Sequence, residues 1–260
     1  IGRDPATIGP IGSNYFKGKI DEVRVFNIAL NDSQLQRMVY QEIQNTDSQI
    51  RGVTIPKNIA TSPFSLPFAN LLRYYRMDTY KDDIIDALTT PAIDIVGAKI
   101  YNNKNIYLQQ APMPFLTGRT GRFAEAVNSP IKEIRGIDIM ESDWSIVKVR
   151  HDITETVNNM DLGMFVDPGI TINMTNNTKI QNDWYLKLDG IINLTGMSQL
   201  VQTAESDLDV TSAGSIERDQ QGQSNKYNYN YWSSPVSTIN TSANNTNYTI
   251  SSVMKDGTTS

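Results

Sequence analysis

The chain has one histidine and no cysteine, which limits the chemistry that its side chains could perform. A serine-type catalytic triad would have to use His151, which stands in Arg150-His151-Asp152 without a nucleophile-elbow glycine pattern nearby. A single histidine is more often a surface or packing residue than a catalytic base. The missing cysteines exclude disulfides and thiolate metal sites.

Paired carboxylates are the second candidate, because glycoside hydrolysis needs two of them about 5–9 Å apart. Glu141-Ser142-Asp143 begins a Glu-x-Asp-x-x-Glu strand arrangement, but Ile146 stands where the last acid is required. Asp207 and Asp209 are instead a candidate for metal binding, because a strand presents both carboxylates on one face, but this spacing is common and weakly specific. A solvated acidic turn explains the remaining acidic group, which comprises Asp82, Asp83 and Asp86. We therefore expect no catalytic residues and a protein that is not an enzyme.

Aromatic side chains near the carboxyl end are the third candidate. Tyr227, Tyr229 and Tyr231 alternate with asparagines and precede Trp232, so an extended backbone places the three phenols on one face. The favoured interpretation is a strand that packs its aromatic side chains on a core. The alternative is a platform for sugar rings, and these four residues are the candidate ligand-binding residues.

Composition limits the partners. The chain of 260 residues has room for one large domain or two to three small ones. Its formal net charge of −5, without a Lys/Arg run, argues against nucleic acid as a partner. No apolar run reaches the ~18–20 residues of a membrane-spanning helix. We expect no nucleic-acid partner and no membrane span.

Hydrophobic patterning predicts a mostly β protein with four parts. Residues 1–45 form a strand over about 16–26 and a helix over about 32–44. A bulge is expected in the strand where the alternation of apolar and polar side chains is interrupted. Asn31 and Gln34 have the spacing of a capping box for that helix. Residues 46–66 form a linker, because prolines lie among polar residues. Residues 67–158 form a β-rich, sandwich-like unit.

Residues 159–260 form the fourth part, a β unit of stacked strands. Its short alternating runs are centred at intervals that cluster near ~16–22 residues, as the coils of a right-handed parallel β-helix would be. A twisted antiparallel sandwich gives the same local alternation, so periodicity leaves solenoid and sandwich open. We favour the solenoid.

Two segments resemble laminin-G-like, concanavalin-type jelly rolls. Residues 18–30, with the following helix, resemble the closing strand and tail of such a domain, and residues 71–78 resemble the opening strand of another. The first resemblance implies that the rest of that sandwich lies upstream of Ile1. Such sandwiches often hold a structural Ca²⁺ with an Asp of the closing strand. Asp21 matches that position, so the resemblance implies calcium there, the alternative being a solvent-facing strand carboxylate.

The region from about residue 71 to 260 resembles a block near the carboxyl end of very large surface proteins of Bacteroidota. These include the SprB-type gliding adhesins exported by the type IX secretion system. Residues 198–202, 218–222 and 229–235 carry the likeness, whereas Met197 and Ala204-Glu205 depart from the pattern. Those departures leave open which member of the family the chain is similar to.

The resemblance implies a non-catalytic structural or adhesive segment at the extracellular face of the cell surface. It implies the type IX translocation machinery as a partner, and surface polysaccharide as a further one. One alternative is a carbohydrate-binding module of a secreted polysaccharide-processing protein. Another is a polysaccharide-degrading enzyme whose catalytic domain lies elsewhere. Ile1 in place of a start methionine and the unpatterned residues 255–260 indicate a piece of a longer protein.

Overall fold

The computed structural model describes residues 16–18, 20–61, 63–77, 80–81, 84–85, 98–99, 114–126, 145–219, 225, 227–229 and 254. It confirms the mostly β fold class. The helices are α1 (Asp32–Val39) and α2 (Phe123–Ala126), with a 3₁₀ turn at Phe68–Asn70. The strands are β1 (Val23–Phe26), β2 (Ile43–Thr46), β3 (Gln49–Gly52), β4 (Leu71–Tyr75), β5 (Tyr80–Lys81), β6 (Ile84–Ile85), β7 (Ala98–Lys99), β8 (Phe115–Leu116), β9 (Ile146–Val149), β10 (Ile153–Glu155), β11 (Asn159–Val166), β12 (Thr171–Met174), β13 (Lys179–Leu188), β14 (Ile191–Leu194), β15 (Gln199–Gln202), β16 (Asp207–Leu208) and β17 (Ser215–Arg218).

Strands of consecutive coils stack into a solenoid, defined here as residues 114–126 and 145–219. Sheet A has the order β15-β13-β11-β9-β8, with β16 also paired to β13, and sheet B has the order β10-β12-β14-β17. All pairings in both sheets are parallel. Antiparallel strands joined by short turns cannot give this pattern. Of the two architectures that periodicity leaves open, the chain therefore forms the solenoid.

The register of sheet B shows the coil length. Ile153 pairs with Ile172, Ile172 with Ile192, and Ile192 with Ile216, which are spacings of 19, 20 and 24 residues. The first two agree with the predicted interval, and the last is longer. The first three of these isoleucines are fully buried. Because each coil covers the apolar row of its neighbour, the interior becomes one continuous hydrophobic core.

Similar four-residue turns form the corners that follow β12 and β14. In Thr175–Thr178 and Thr195–Ser198, the last N–H donates to the first carbonyl, at 3.2 and 3.1 Å. Asn176, Asn177 and Gly196 adopt the left-handed conformation that Asn and Gly tolerate best. The Asn177 Oδ1 atom also accepts a hydrogen bond from the Met197 N–H (2.9 Å), so one corner is hydrogen-bonded to the next.

The solenoid begins earlier than the predicted boundary at 158. β8 pairs with β9, and Gly121 forms a parallel bridge to Ile153 in sheet B. The short helix α2 then packs against β10, where Phe123 is buried in the core. The Glu155 carboxylate accepts hydrogen bonds from the Phe123 N–H (3.2 Å) and the Arg122 Nε (3.0 Å). The division of the chain into 67–158 and 159–260 therefore cuts through one structural unit.

An amino-terminal unit, residues 20–77, precedes the solenoid. Its strand β1 pairs antiparallel with β4, and the register shifts between Val25 and Phe26, within the segment for which the sequence predicts a bulge. The segments that resemble the end of one laminin-G-like domain and the start of another are thus paired with each other. The strand predicted over 16–26 is shorter than expected, since it begins at Val23.

Helix α1 has the predicted capping box. The Gln34 N–H donates to the Asn31 side chain (2.8 Å), and the Asn31 N–H donates to the Gln34 side chain (3.1 Å). The helix ends at Val39 rather than near 44, because β2 follows and forms a hairpin with β3. The two-residue turn of this hairpin, Asp47-Ser48, has positive φ at both positions (51° and 62°), as tight hairpins require.

Residues 46–66, predicted to be a linker, are instead packed. Besides the end of β2 and all of β3, this segment contributes four buried apolar side chains, which are Ile50, Ile55, Ile59 and Leu66. The Ile50 N–H donates to the Leu66 carbonyl (3.0 Å), and the Ile59 N–H donates to the Ile50 carbonyl (2.8 Å). Prolines among polar residues indicated a loop, but irregular backbone with these hydrogen bonds can still build a core.

A second hydrophobic core joins the amino-terminal unit to the outer surface of sheet A. The pairing of β11 with β13 shifts in register between Asp161 and Gly163, and such bulges re-aim side chains. Trp184, next to this irregularity, is buried against the amino-terminal unit. Gly163 lies under Ile55, and a Cβ there would lie 2.3 Å from the Ile55 Cδ1 atom. The absence of a side chain at 163 lets the two units approach closely.

Strands β5, β6 and β7 form a small antiparallel sheet. The strands predicted over 93–96, 100–101, 106–108 and 137–139 lie outside the described residues.

A buried carboxyl at the irregularity of sheet A makes stability depend on pH. Burial raises the pKa of Asp161 well above its ordinary value of 3.8; the hydrogen bond from Asn182 opposes this rise and the Asp183 charge adds to it. The Asn182 Nδ2 atom lies 2.7 Å from the Asp161 Oδ1 atom. Because the folded protein holds this proton more tightly than the unfolded chain, the stabilisation is complete below pH 3.8 and is lost as pH rises through the folded-state pKa.

Asp161→Asn is therefore expected to abolish this loss and to be more stable than the wild type at pH 8. Denaturant unfolding at pH 4 to 8 measures the effect, which we expect to be about 1–3 kcal/mol at the alkaline end. Asp47→Asn is the control, because Asp47 is exposed in the hairpin turn and Asn tolerates its positive φ. Equal pH dependence for Asp161→Asn and the wild type would contradict this role.

Candidate functional site

The single histidine lies at a corner of the solenoid. The His151 Nδ1 atom is 3.2 Å from the hydroxyl of the buried Thr117. That hydroxyl also accepts a hydrogen bond from the Arg150 N–H (2.8 Å). These contacts connect β8 to the turn after β9, so His151 helps to hold two parts of the solenoid together.

The acidic residues singled out from sequence fall into three groups. Asp21 is exposed, and its Oδ1 atom accepts a hydrogen bond from the Glu22 N–H (3.0 Å). Asp207 forms an ion pair with Lys57 (2.7 Å), whereas Asp209 accepts a hydrogen bond from the Tyr185 hydroxyl. The remaining acids, Asp82, Asp83, Asp86, Glu141 and Asp143, lie outside the described residues.

Tyr227 and Tyr229 are 81% and 83% exposed, so neither packs on a core as the favoured interpretation expected. The Tyr227 N–H donates to the Asn225 side chain (3.0 Å), which is a local turn contact. Tyr231 and Trp232 lie outside the described residues, so a four-residue platform stays a prediction.

A groove separates the amino-terminal unit from the outer surface of sheet A. Its volume is about 290 Å³, near the lower end of the ~300–1,000 Å³ range of ligand pockets. The loop after β3 forms one wall with Val53, Thr54 and Pro56. The ends of strands in sheet A form the floor. The side chains that line this floor include Lys148, Phe165, Asp167, Tyr185, Lys187, Asp189 and Asp209.

Strand register sets the order of side chains along the groove floor. Lys148 pairs with Phe165, Phe165 with Lys187, and Lys187 lies one residue beyond the Leu186–Leu208 pair, beside Asp209. These residues alternate with inward-facing apolar residues and therefore face outward. The Phe165 and Tyr185 rings lie 5.4 Å apart at an angle of 48°. The floor thus combines an aromatic pair with a row of charged side chains.

Ion pairs neutralise most of the groove's charge. Lys148 pairs with Asp167 (3.3 Å), and Lys187 pairs with both Asp189 (3.1 Å) and Asp209 (3.6 Å). Lys148 and Asp167 keep 40% and 35% of their side-chain surface exposed, so the first pair remains accessible to solvent.

Asp209 has the electrostatics of a carboxylate rather than of a proton donor. Partial burial favours its neutral form, but hydrogen bonds from Thr211 and Tyr185 and the Lys187 charge outweigh burial and lower the pKa. Burial, with the hydrogen bond to Asp209, raises the pKa of Tyr185. A glycosidase acid needs a raised carboxyl pKa, so Asp209 does not suit that role.

Sequence reasoning missed this groove. The signal that could have found it is an Asp two residues after an outward-facing side chain at equivalent positions of successive coils, as in Phe165/Asp167 and Lys187/Asp189. Recognising it requires the coil register, and the loop at Val53 lies in the segment that was predicted to be a linker.

Within the described part of the chain, no group of three or more His, Cys, Asp or Glu side chains is arranged to hold a metal ion. Calcium at Asp21 stays a prediction. No helix in the described ranges has the length and apolar character needed to cross a bilayer.

Comparison with known proteins gives no relative. The chain matches no family model, no curated protein and no solved structure.

Proposed function

We propose that the chain is a non-catalytic structural and adhesive segment of a large secreted bacterial protein at the cell surface. Export by the type IX secretion system, and a role in gliding or surface adhesion, belong to this proposal and rest on the sequence resemblance. The observation that carries the structural part is the continuous parallel pairing of coils in sheets A and B.

Stacked coils suit a load-bearing segment. Each strand in the interior of a sheet pairs with strands of the coils before and after it, and the apolar rows make one continuous core. Separating two coils therefore breaks several backbone hydrogen bonds together and exposes apolar surface. The amino-terminal unit adds a second core across sheet A. Such a body transmits force without needing a moving part.

The groove chemistry is compatible with a protein that performs no catalysis. Its carboxylates are ion-paired with lysines, and the lowered pKa of Asp209 does not suit a proton donor. The formal net charge of −5 favours solubility and disfavours binding to polyanions such as nucleic acid.

Location on the cell surface is the direct test. An antibody raised against the folded chain should label intact cells of the source organism. Labelling of intact cells should be lost when the type IX translocation machinery is deleted, while the protein accumulates inside. Labelling that requires permeabilised wild-type cells would contradict the proposal. Surface labelling that survives the deletion would contradict the export route alone.

A second candidate is a carbohydrate-binding module, which the high exposure of Tyr227 and Tyr229 favours. Exposed aromatic rings offer flat faces on which sugar rings can stack. Tyr229→Ala should then abolish saturable binding on a glycan array, whereas Phe64→Ala should not, since Phe64 is an exposed ring in the amino-terminal unit. Equal binding by both variants would exclude this tyrosine as the contact.

A further inference from the structure

We infer that the groove between the loop after β3 and sheet A binds a neutral oligosaccharide. This inference deepens the adhesive part of the proposed function by giving it a ligand class and a site. The site is distinct from Tyr227 and Tyr229, because neither lines the groove.

Phe165 supplies the first element of sugar recognition. It is half-buried on the groove floor, whereas Tyr185 beside it is buried (6% exposed), with its hydroxyl bonded to Asp209. The C–H face of a pyranose ring is apolar and can pack on the exposed part of the Phe165 ring. Because the buried Tyr185 ring packs against Phe165, it holds that ring in a fixed orientation, which lowers the entropic cost of binding.

Alternating charges supply the second element. A sugar hydroxyl both donates and accepts hydrogen bonds, so it can bond to a carboxylate and an ammonium group that lie side by side. Lys148 and Asp167 form such a pair and remain partly exposed. A carboxylate has about four acceptor sites and an ammonium group three donors, so this ion pair leaves capacity for a ligand.

The balance of charge selects against ionic ligands. The lining has three carboxylates, Asp167, Asp189 and Asp209, against two ammonium groups, Lys148 and Lys187. An anionic ligand would meet the excess of negative charge, while a cation would compete with lysines already in place. Neutral polyhydroxylated ligands avoid both costs.

The groove is also elongated along the solenoid axis. Three neighbouring strands contribute Lys148, Phe165 and Lys187, and the residue after β16, Asp209, completes the row. Strands lie about 4.8 Å apart, so the row spans roughly 14 Å. A short chain of sugars fits this shape better than a compact molecule does. The exposed rim residue Val53 stands on the opposite wall.

Binding of the full chain to an array of neutral glucan, mannan, galactan and xylan oligosaccharides tests the inference, with acidic polysaccharides alongside. Val53→Arg places a bulky cation at the rim and should weaken binding by about tenfold or more. Val157→Arg is the matched control, because Val157 is 43% exposed against 45% for Val53 and lies at a turn outside the groove. Lys148→Met removes a donor from the floor and provides a second variant if Val53→Arg folds poorly.

Saturable binding of a neutral oligosaccharide, weakened by Val53→Arg or Lys148→Met and unchanged by Val157→Arg, is the expected result. Three results would overturn the inference: no binding to any neutral oligosaccharide, binding to acidic polysaccharides alone, or equal affinity in the groove variants and the control. The surface-labelling experiment does not depend on this result, so failure of the groove and failure of the proposed function are distinguishable.

Discussion

Trp184→Ala is expected to detach the amino-terminal unit from the solenoid. The indole is 1% exposed, and the Arg37 guanidinium (5.0 Å) and the Lys57 ammonium (5.7 Å) both lie over its ring. Removing a buried tryptophan costs about 3–5 kcal/mol. Each cation over the ring adds about 0.5–2 kcal/mol. Arg37 also forms an ion pair with Glu205 of the solenoid, and Lys57 forms one with Asp207. The indole therefore positions both cations for the ion pairs between the amino-terminal unit and the solenoid.

Hydrogen exchange measures this effect segment by segment. In Trp184→Ala, amides in residues 43–66 should lose protection, while those of β12 and β14 should keep it, because the inner core of the solenoid does not contain Trp184. Trp184→Phe is the control, since it keeps an aromatic face for the two cations and should retain most of the protection. Unchanged protection over residues 43–66 in Trp184→Ala would show that the indole does not hold the units together.

Gly190→Asn should disrupt the stacking of the coils themselves. A Cβ at this position would lie 2.3 Å from the Ile170 carbonyl oxygen and 2.7 Å from that of Asp167. Both contacts are backbone atoms of the preceding coil, so the coils must move apart. That movement would weaken the hydrogen bond from the Ile191 N–H to the Ile170 carbonyl (2.8 Å). The expected loss of unfolding free energy is about 3 kcal/mol, in the upper range for overpacking.

Gly169→Asn is the matched control in the adjacent coil. Gly169 has a φ of +77°, which Asn tolerates, and a Cβ there would have no neighbour within 4 Å. The same substitution should therefore change the unfolding free energy by about 0.5 kcal/mol or less. Denaturant unfolding of both variants gives the comparison. A loss for Gly190→Asn no larger than that for Gly169→Asn would argue against close coil contact at Gly190.

Local signals in the sequence predict the elements that depend on neighbours along the chain. The Asn31–Gln34 capping box identifies α1, and short alternating runs identify β12, β14 and β17. The coil interval predicts stacked strands because inward Ile and Leu residues recur once per turn of the solenoid. These features need no knowledge of distant contacts.

The features that the sequence did not predict depend on contacts between residues that are far apart along the chain. Strand β1 finds its partner in β4, about 50 residues later, and no periodicity encodes that pairing. Residues 46–66 pack because Ile50, Ile55 and Ile59 meet a surface that sheet A supplies. The bulge beside Gly163 depends on the register between two coils. The groove depends on the packed loop after β3 and on the register between coils, so the sequence analysis singled out only Asp209 among its lining residues.

Cysteine pairing tests the parallel solenoid most directly, because the wild-type chain contains no cysteine. Asn173 and Asn193 are register partners on β12 and β14, and their side chains are hydrogen-bonded at 3.0 Å. Strands about 4.8 Å apart suit the Cα separation of a disulfide. We expect the double variant Asn173→Cys/Asn193→Cys to oxidise to an intramolecular disulfide while folded, and Asn173→Cys/Gln181→Cys to remain reduced, because Gln181 belongs to the other sheet. Efficient oxidation of the second pair without the first would indicate an antiparallel arrangement of β12 and β13 and would contradict the solenoid.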